Sequence, residues 1–387
     1  MQELLVAPAV EKTLGDNGFF QGRDRVAFSK EFGRLFRMGS IDALRVSTAD
    51  RIRQMLQGKD SIGAREYLAY LHPQDMLMIT FLSEWPGRWA GFLLRRLGAV
   101  NGNASIIMAF ALWRSTLPVS LKSDDHEAAL VLAKIYEPKP NSKADTFQYA
   151  AAAATLTGVP KNTYKLILEQ IARNEFDLAQ QTLNTYILQV RNRHDLLLRY
   201  LWSFPSVLNN TNGQAMAEEG LRDSFGACSF QESMWRIFES LAPVARAAFL
   251  AEHLRAHFSG ANREGTVEII EEADRYRLVF APCGSGGAMR REGAGSWADG
   301  MTVFRDASPA TWGRAGQVSA YCSHCAFNEI KSVKRMGFPL WVTEFNPDPE
   351  KPCGWTVFKD PKNIPDSYFE RIGAARPEAT GIQQDTQ

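Results

Sequence analysis

Between residues 25 and 258 apolar side chains recur three and four positions apart, and glycine and proline are scarce within segments. That spacing predicts a series of amphipathic helices. The stretch DSIGAREYLAYLHPQDMLMITFLSEW reads as a helix, a break near Pro73, and a second helix ended by Pro86-Gly87. ASIIMAFALWRS, HEAALVLAKIY, TFQYAAAAATLTG and NTYKLILEQIARNEFDLAQQTL continue the pattern, with the polar, proline-containing stretch 137–145 as a sub-boundary. Near 260 the texture changes. TVEIIEEADRYRLVFAP carries two short β-rich runs around a polar turn, a hairpin pattern. Glycine-rich loops follow, then FPLWVTEF and GWTVFKD as strands, and IPDSYFERIG as a short closing helix. The expected fold class is α+β: a helical domain over 1–260, a loop-rich antiparallel β module with a four-cysteine metal site over 261–373, and a disordered tail from 374.

Composition narrows the function classes. The chain has 387 residues, 45% of them hydrophobic, enough for one large core or two moderate ones. Lys plus Arg total 44 against 43 for Asp plus Glu, so no strong field favours a polyanion, and no basic block with interleaved aromatics argues for nucleic acid. The N-terminus lacks the basic and apolar regions of a secretory signal. The longest apolar run, 104–113, is half of the roughly 20 residues a bilayer span requires, so it reads as a buried helix. The expectation is a cytoplasmic protein with a small-molecule ligand and neither nucleic acid nor membrane as partner. Its oligomeric state is left open.

Four of the five cysteines, Cys283, Cys322, Cys325 and Cys353, fall in the last third of the chain. Cys322 and Cys325 form a C-x-x-C pair, the knuckle of many tetrahedral zinc sites, and Cys283 and Cys353 stand in glycine- and proline-flanked turns. A thin, loop-rich module gains on the order of 10 kcal/mol from a structural metal. The four are therefore read as zinc ligands; an iron–sulfur cluster, a redox pair and simple burial are the alternatives. Cys228, in FGACSF, has no place in the pattern. CGSGG at 283–287 also has backbone amides able to cradle a phosphate, without the lysine of a P-loop.

The segments CGSGG, YCSHC at 321–325 and PCGWTVFKDPKNIPDSYFERIG at 352–373, with RNRHD at 191–195 and LRAHFSG at 254–260 upstream, resemble a broad bacterial family of uncharacterised proteins. The resemblance spans roughly residues 180–373. It implies a shared metal-binding module and no particular activity. The chain departs from that family at Ser308–Gly313, which reads SPATWG where relatives read H-P-W-x-W-G.

The histidines suggest where chemistry lies. His194 sits in a helical stripe with Leu183, Ile187, Val190, Leu197 and Leu201, so it faces inward. Asp195 follows it about 100° around the helix and is not its automatic partner. His257, four residues after His253, ends the last helix before the boundary. His324 stands between two candidate ligands, and His72 and His126 read as surface residues. Buried neutral imidazoles suit general acid–base work, while a core histidine hydrogen-bonded to a neighbour is the structural alternative. Two functions fit. One is a zinc-containing enzyme of small-molecule metabolism, with His194, His257, His324 and Trp312 lining a site at the junction of the two parts. The other is a non-catalytic, zinc-stabilised binding protein.

Overall fold

The computed structural model describes residues 23–29, 32–116, 123–137, 149–291 and 302–377. Its first elements are strands. Arg25–Ser29 (β1) and Arg34–Met38 (β2) pair antiparallel, with Arg25 opposite Met38. This corrects the helical expectation for residues from 25 onward: the runs are only five residues long, and Gly33, at φ 61°, reverses the chain between them.

Helices then dominate, as their spacing predicts: Ile41–Leu44 (α1), Thr48–Gln57 (α2), Ser61–Ser115 (α3), Ser123–Tyr136 (α4), Tyr149–Ala172 (α5), Phe176–Asn212 (α6), Gln214–Gly226 (α7), Ser229–Ser240 (α8) and Pro243–Arg255 (α9). α3 runs unbroken through Pro73 and Pro86, which corrects the expected break and end at those prolines. Each proline removes one backbone hydrogen bond. The apolar face around Pro86 is deeply buried, with Trp85 and Trp89 beside it, and that packing outweighs the loss. The interruption falls instead at Gly98, whose φ of 76° is open to glycine at little cost. The 104–113 run is helical but not wholly buried, since Ile107 and Met108 are exposed. No helix among the described residues is long and apolar enough to cross a membrane.

After α9 come Glu268–Glu271 (β3), Arg275–Phe280 (β4), the short helix Gly286–Arg291 (α10), Val303–Phe304 (β5), Val318–Ser319 (β6), Ser323–Met336 (α11), Val342–Glu344 (β7), Cys353–Phe358 (β8) and Asp366–Glu370 (α12). β3, β4, β8 and β7 form, in that order, an antiparallel four-stranded sheet, and the expected hairpin is β3–β4, with Glu271 opposite Tyr276. The architecture is therefore α+β, with a large helical part and small antiparallel sheets. The YCSHC stretch differs from the expected knuckle. Cys322 caps α11, and Cys325 lies in its first turn. The sub-boundary loop and the tail lie largely outside the described residues.

The apolar core is continuous across residue 260. Trp85, Trp89, Trp113 and Trp202 from α3 and α6 share one cluster with Met289, Phe304, Tyr321 and Phe327. The Trp202 indole N–H donates to the Thr302 carbonyl at 3.1 Å, which joins the two parts by a buried polar contact.

A polar cluster of His72, Asp75 and Tyr186 joins α3 to α6. His72, expected at the surface, is half-buried and stacks on Tyr164 with ring centroids 4.1 Å apart. Pro73, which follows it, continues α3 instead of forming a turn, so the ring stays against the helices. The side chain of His126 lies outside the described residues. The Tyr186 hydroxyl donates to Asp75 at 3.0 Å and stands 3.1 Å from His72 Nδ1. Burial pushes the Asp75 carboxyl up to about 7 against the opposing hydrogen bond from Tyr186. A raised acid holds its proton in the folded chain while the unfolded chain releases it. Stability from this group is therefore full below the ordinary carboxylate range and is lost as pH rises to about 7. Asp75→Asn is expected to match the natural protein near pH 4 and to exceed it by on the order of 4 kcal/mol at pH 8. Urea titrations across that range check this, and identical pH dependence in the two proteins would show that Asp75 ionises normally.

Candidate functional site

The site is built where the chain after β4 passes the end of α9. A Cβ on Gly284 would lie 2.1 Å from the His257 carbonyl oxygen and 2.2 Å from that of Phe258, so only glycine lets these backbones touch. The approach sets Ser285 beside two histidines. Its Oγ lies 2.7 Å from His257 Nδ1 and 3.3 Å from His194 Nε2, and these two ring nitrogens are 3.3 Å apart.

His194, contributed by α6, carries the network inward. Its Nδ1 is 2.9 Å from Asp195 Oδ1, so the neighbouring aspartate, not an automatic partner on a helix, is its partner here. The 100° offset is overcome because Arg263 pulls the carboxylate into place with two bonds of 2.8 and 2.7 Å. Arg263 holds a left-handed backbone at φ 54° and also donates to the Gly284 carbonyl at 2.6 Å. One guanidinium thus fixes both the acid and the serine loop. Burial alone would raise the Asp195 pKa, but the bond from His194 and the charge of Arg263 lower it below the ordinary carboxylate range. Burial lowers the His194 pKa, against the pull of Asp195, and burial drives that of His257 down further. Both rings are neutral at pH 7. One proton assignment links the chain from acid to serine: His194 Nδ1–H donates to Asp195, Ser285 O–H donates to His194 Nε2, and His257 Nδ1–H donates to Ser285 Oγ.

Ser285 and His257 open into a cavity that is also lined by His324, Trp312 and all four cysteines of the C-terminal pattern. His194 stands behind Ser285 rather than on the cavity wall. His324 turns inward: its Nδ1 lies 2.7 Å from the Tyr321 carbonyl, its Nε2 is 3.6 Å from Cys325 Sγ, and burial lowers its pKa to about 4. Burial raises the thiol pKa of Cys322 to about 11 and of Cys353 to about 12, and each of these two thiols also feels Cys283. Burial and the other three cysteines hold Cys325 well above the usual thiol range. Cys228 lies elsewhere, bonded to the Ser224 carbonyl at 3.4 Å. Among the described residues, no group of three or more His, Cys, Asp or Glu side chains is disposed to hold a metal ion as it stands. All four of these cysteines nevertheless line the one cavity.

Ser285, Asp195 and Arg263 are the members that periodicity does not reveal. The signal in the sequence is CGSGG at 283–287, whose glycines suggest a phosphate cradle and whose serine carries no periodicity. Trp312 is placed by a short turn, Pro309–Thr311, and its indole donates to Glu329 at 2.9 Å. Comparison of the chain with protein-family models, curated proteins and solved structures gives no match.

Proposed function

We propose that this chain is an enzyme acting on a small molecule at the junction cavity, with Ser285 as nucleophile in acyl transfer or hydrolysis. One observation carries the reading: a serine hydroxyl on the cavity wall is backed by a buried histidine that is oriented by a fixed carboxylate. In the step it supports, Ser285 Oγ forms a bond to a substrate carbonyl carbon while its proton passes to His194 Nε2. The imidazolium is stabilised by Asp195. Collapse of the tetrahedral species breaks the bond to the leaving group, which departs with that proton. Water, deprotonated by the same ring, then releases the acyl group and regenerates Ser285. His257 holds the serine oxygen in place. Cys283, Cys322, Cys325 and Cys353 are proposed to hold a zinc ion. Bound by four thiolates, it would tie the serine loop, α11 and β8 together and would have no open position for substrate.

The test is covalent labelling. A fluorophosphonate is expected to add once, at Ser285, as read by intact mass and peptide mapping. Ser285→Ala should take no label, and His194→Gln should label at least a hundredfold more slowly. Because burial lowers the His194 pKa, labelling should fade at a lower pH than an ordinary imidazole base would give. A folded natural protein that takes no label would sink the nucleophile and favour the non-catalytic binding protein.

A further inference from the structure

The cavity that holds Ser285 has a cationic side that the serine chemistry does not use. Arg290, on α10, lines it together with Phe345 and Asn346. Its guanidinium carbon lies 5.7 Å from the centre of the Phe345 ring, Nη1 donates to the Asn346 carbonyl at 3.4 Å, and Nη2 donates to that of Pro347. Phe345 and Asn346 are wall residues, so the charged end of Arg290, and not only its stem, stands at the cavity. Arg314 is 6.0 Å from the centre of the same ring, in a stretch whose neighbours Gly313 and 315–317 are exposed. Phe345 is itself fixed by stacking on Trp312, with centroids 5.2 Å apart.

Neither guanidinium has a counter-charge. Arginines elsewhere are paired: Arg37 with Asp24, Arg263 with Asp195 and Arg371 with Glu329. Among the described residues no carboxylate pairs with Arg290 or Arg314. The acid on the cavity wall, Asp348, pairs with Lys351 at 3.9 Å and accepts from the Glu350 N–H at 3.0 Å. Two guanidiniums gathered at one ring repel each other, and an anion held between them reverses that energy. Their planar forks match a carboxylate.

We propose that Arg290 and Arg314 receive a carboxylate on the guest. Ser285 immediately precedes α10, its carbonyl accepting from the Met289 N–H at 3.0 Å, and the five residues from it to Arg290 advance about 7.5 Å along a helix axis. A chain of a few carbons spans such a distance. The substrate of Ser285 is then a short acyl compound with an anionic far end, an assignment that rests on the enzyme reading above. The carboxylate site itself does not depend on it.

p-Nitrophenyl hydrogen adipate and p-nitrophenyl hexanoate share a chain length and differ in the far carboxylate. At pH 7.5 the half-ester is expected to show a kcat/KM about tenfold higher, and replacing both arginines (Arg290→Met with Arg314→Met) should bring the two esters within about twofold. Binding is read separately by calorimetry. Hexanoate should saturate one site per chain, hexanamide, of like size and uncharged, should bind about tenfold more weakly, and added salt should narrow the gap. Arg314→Met alone breaks no hydrogen bond among the described residues, so it carries the test if the double variant does not fold, and it should weaken hexanoate about threefold. Arg290 also favours the ionised forms of Cys322 and Cys353, so zinc is measured in each variant. Zinc lost with the ester preference intact would make Arg290 the counter-charge of the cysteines and overturn the proposal, as would hexanoate bound no better than hexanamide. Selective hexanoate binding in a protein that takes no fluorophosphonate and cleaves neither ester keeps the carboxylate site and sinks the nucleophile.

Discussion

Alanine in place of Glu329 is expected to lower the stability of the fold by about 3–5 kcal/mol. The carboxylate is fully buried on α11 and serves three elements at once. Oε1 accepts from the Trp312 indole at 2.9 Å and from the Thr343 backbone at 2.8 Å, while Oε2 accepts from Arg371 at 2.9 Å. Burial raises the pKa of this acid against the opposing pull of Arg371. Removing the carboxylate leaves a guanidinium without its counter-charge and two buried N–H groups without an acceptor, each costing about 1–3 kcal/mol. Glu329→Gln keeps the shape and one acceptor and should lose clearly less. Urea unfolding followed by tryptophan fluorescence measures both. Trp312 lines the cavity, so the alanine variant should also lose fluorophosphonate labelling in proportion to its unfolded fraction. A loss under about 1 kcal/mol would mean that water replaces the carboxylate without cost.

The second large effect concerns the metal. The purified protein is expected to release one zinc ion per chain on treatment with a thiol-reactive mercurial. Removing zinc with a strong chelator should lower the melting temperature sharply, because structural zinc contributes on the order of 10 kcal/mol in small modules. The driving force is local. Burial lifts the Cys322 and Cys353 thiols to about 11 and about 12, and like charges on neighbouring sulfurs oppose ionisation further. A divalent cation reverses that balance, since it stabilises the thiolates that burial disfavours. Cys322→Ser should therefore lose the metal and melt far lower, whereas Cys228→Ser, whose thiol lies outside the cavity, should keep both. Metal-free protein that melts like the natural one, with equal shifts for the two serine variants, would count against the ion.

The long helices, the β3–β4 hairpin and the inward-facing histidines were legible because each rests on local spacing. His194 stood out as the polar residue in an apolar stripe, and His257 by its place at the change of texture, although it lies in the turn just after α9 rather than at its last residue. What stayed hidden depends on contacts across tens of residues. Pro73 and Pro86 signal helix ends in isolation, yet burial of the surrounding helix overrides them. Asp195 is turned toward His194 by Arg263, 68 residues later. Ser285 gains its role only because Gly284 lets its loop lie against the end of α9. No period along the chain encodes either event.

The core that crosses residue 260 has a consequence for how the protein is made. The helices leave the ribosome first, but the cluster around Trp202 is closed by Phe304, Tyr321 and Phe327, which arrive later. At about 5–20 residues per second, that interval lasts several seconds or longer. During it the unfinished face of α6 is exposed to water, and the Trp202 N–H waits for the Thr302 carbonyl. His194 waits in the same interval for Ser285. The nascent helical part thus exposes apolar surface during that interval, and Ser285 cannot meet His194 until residue 285 has been made.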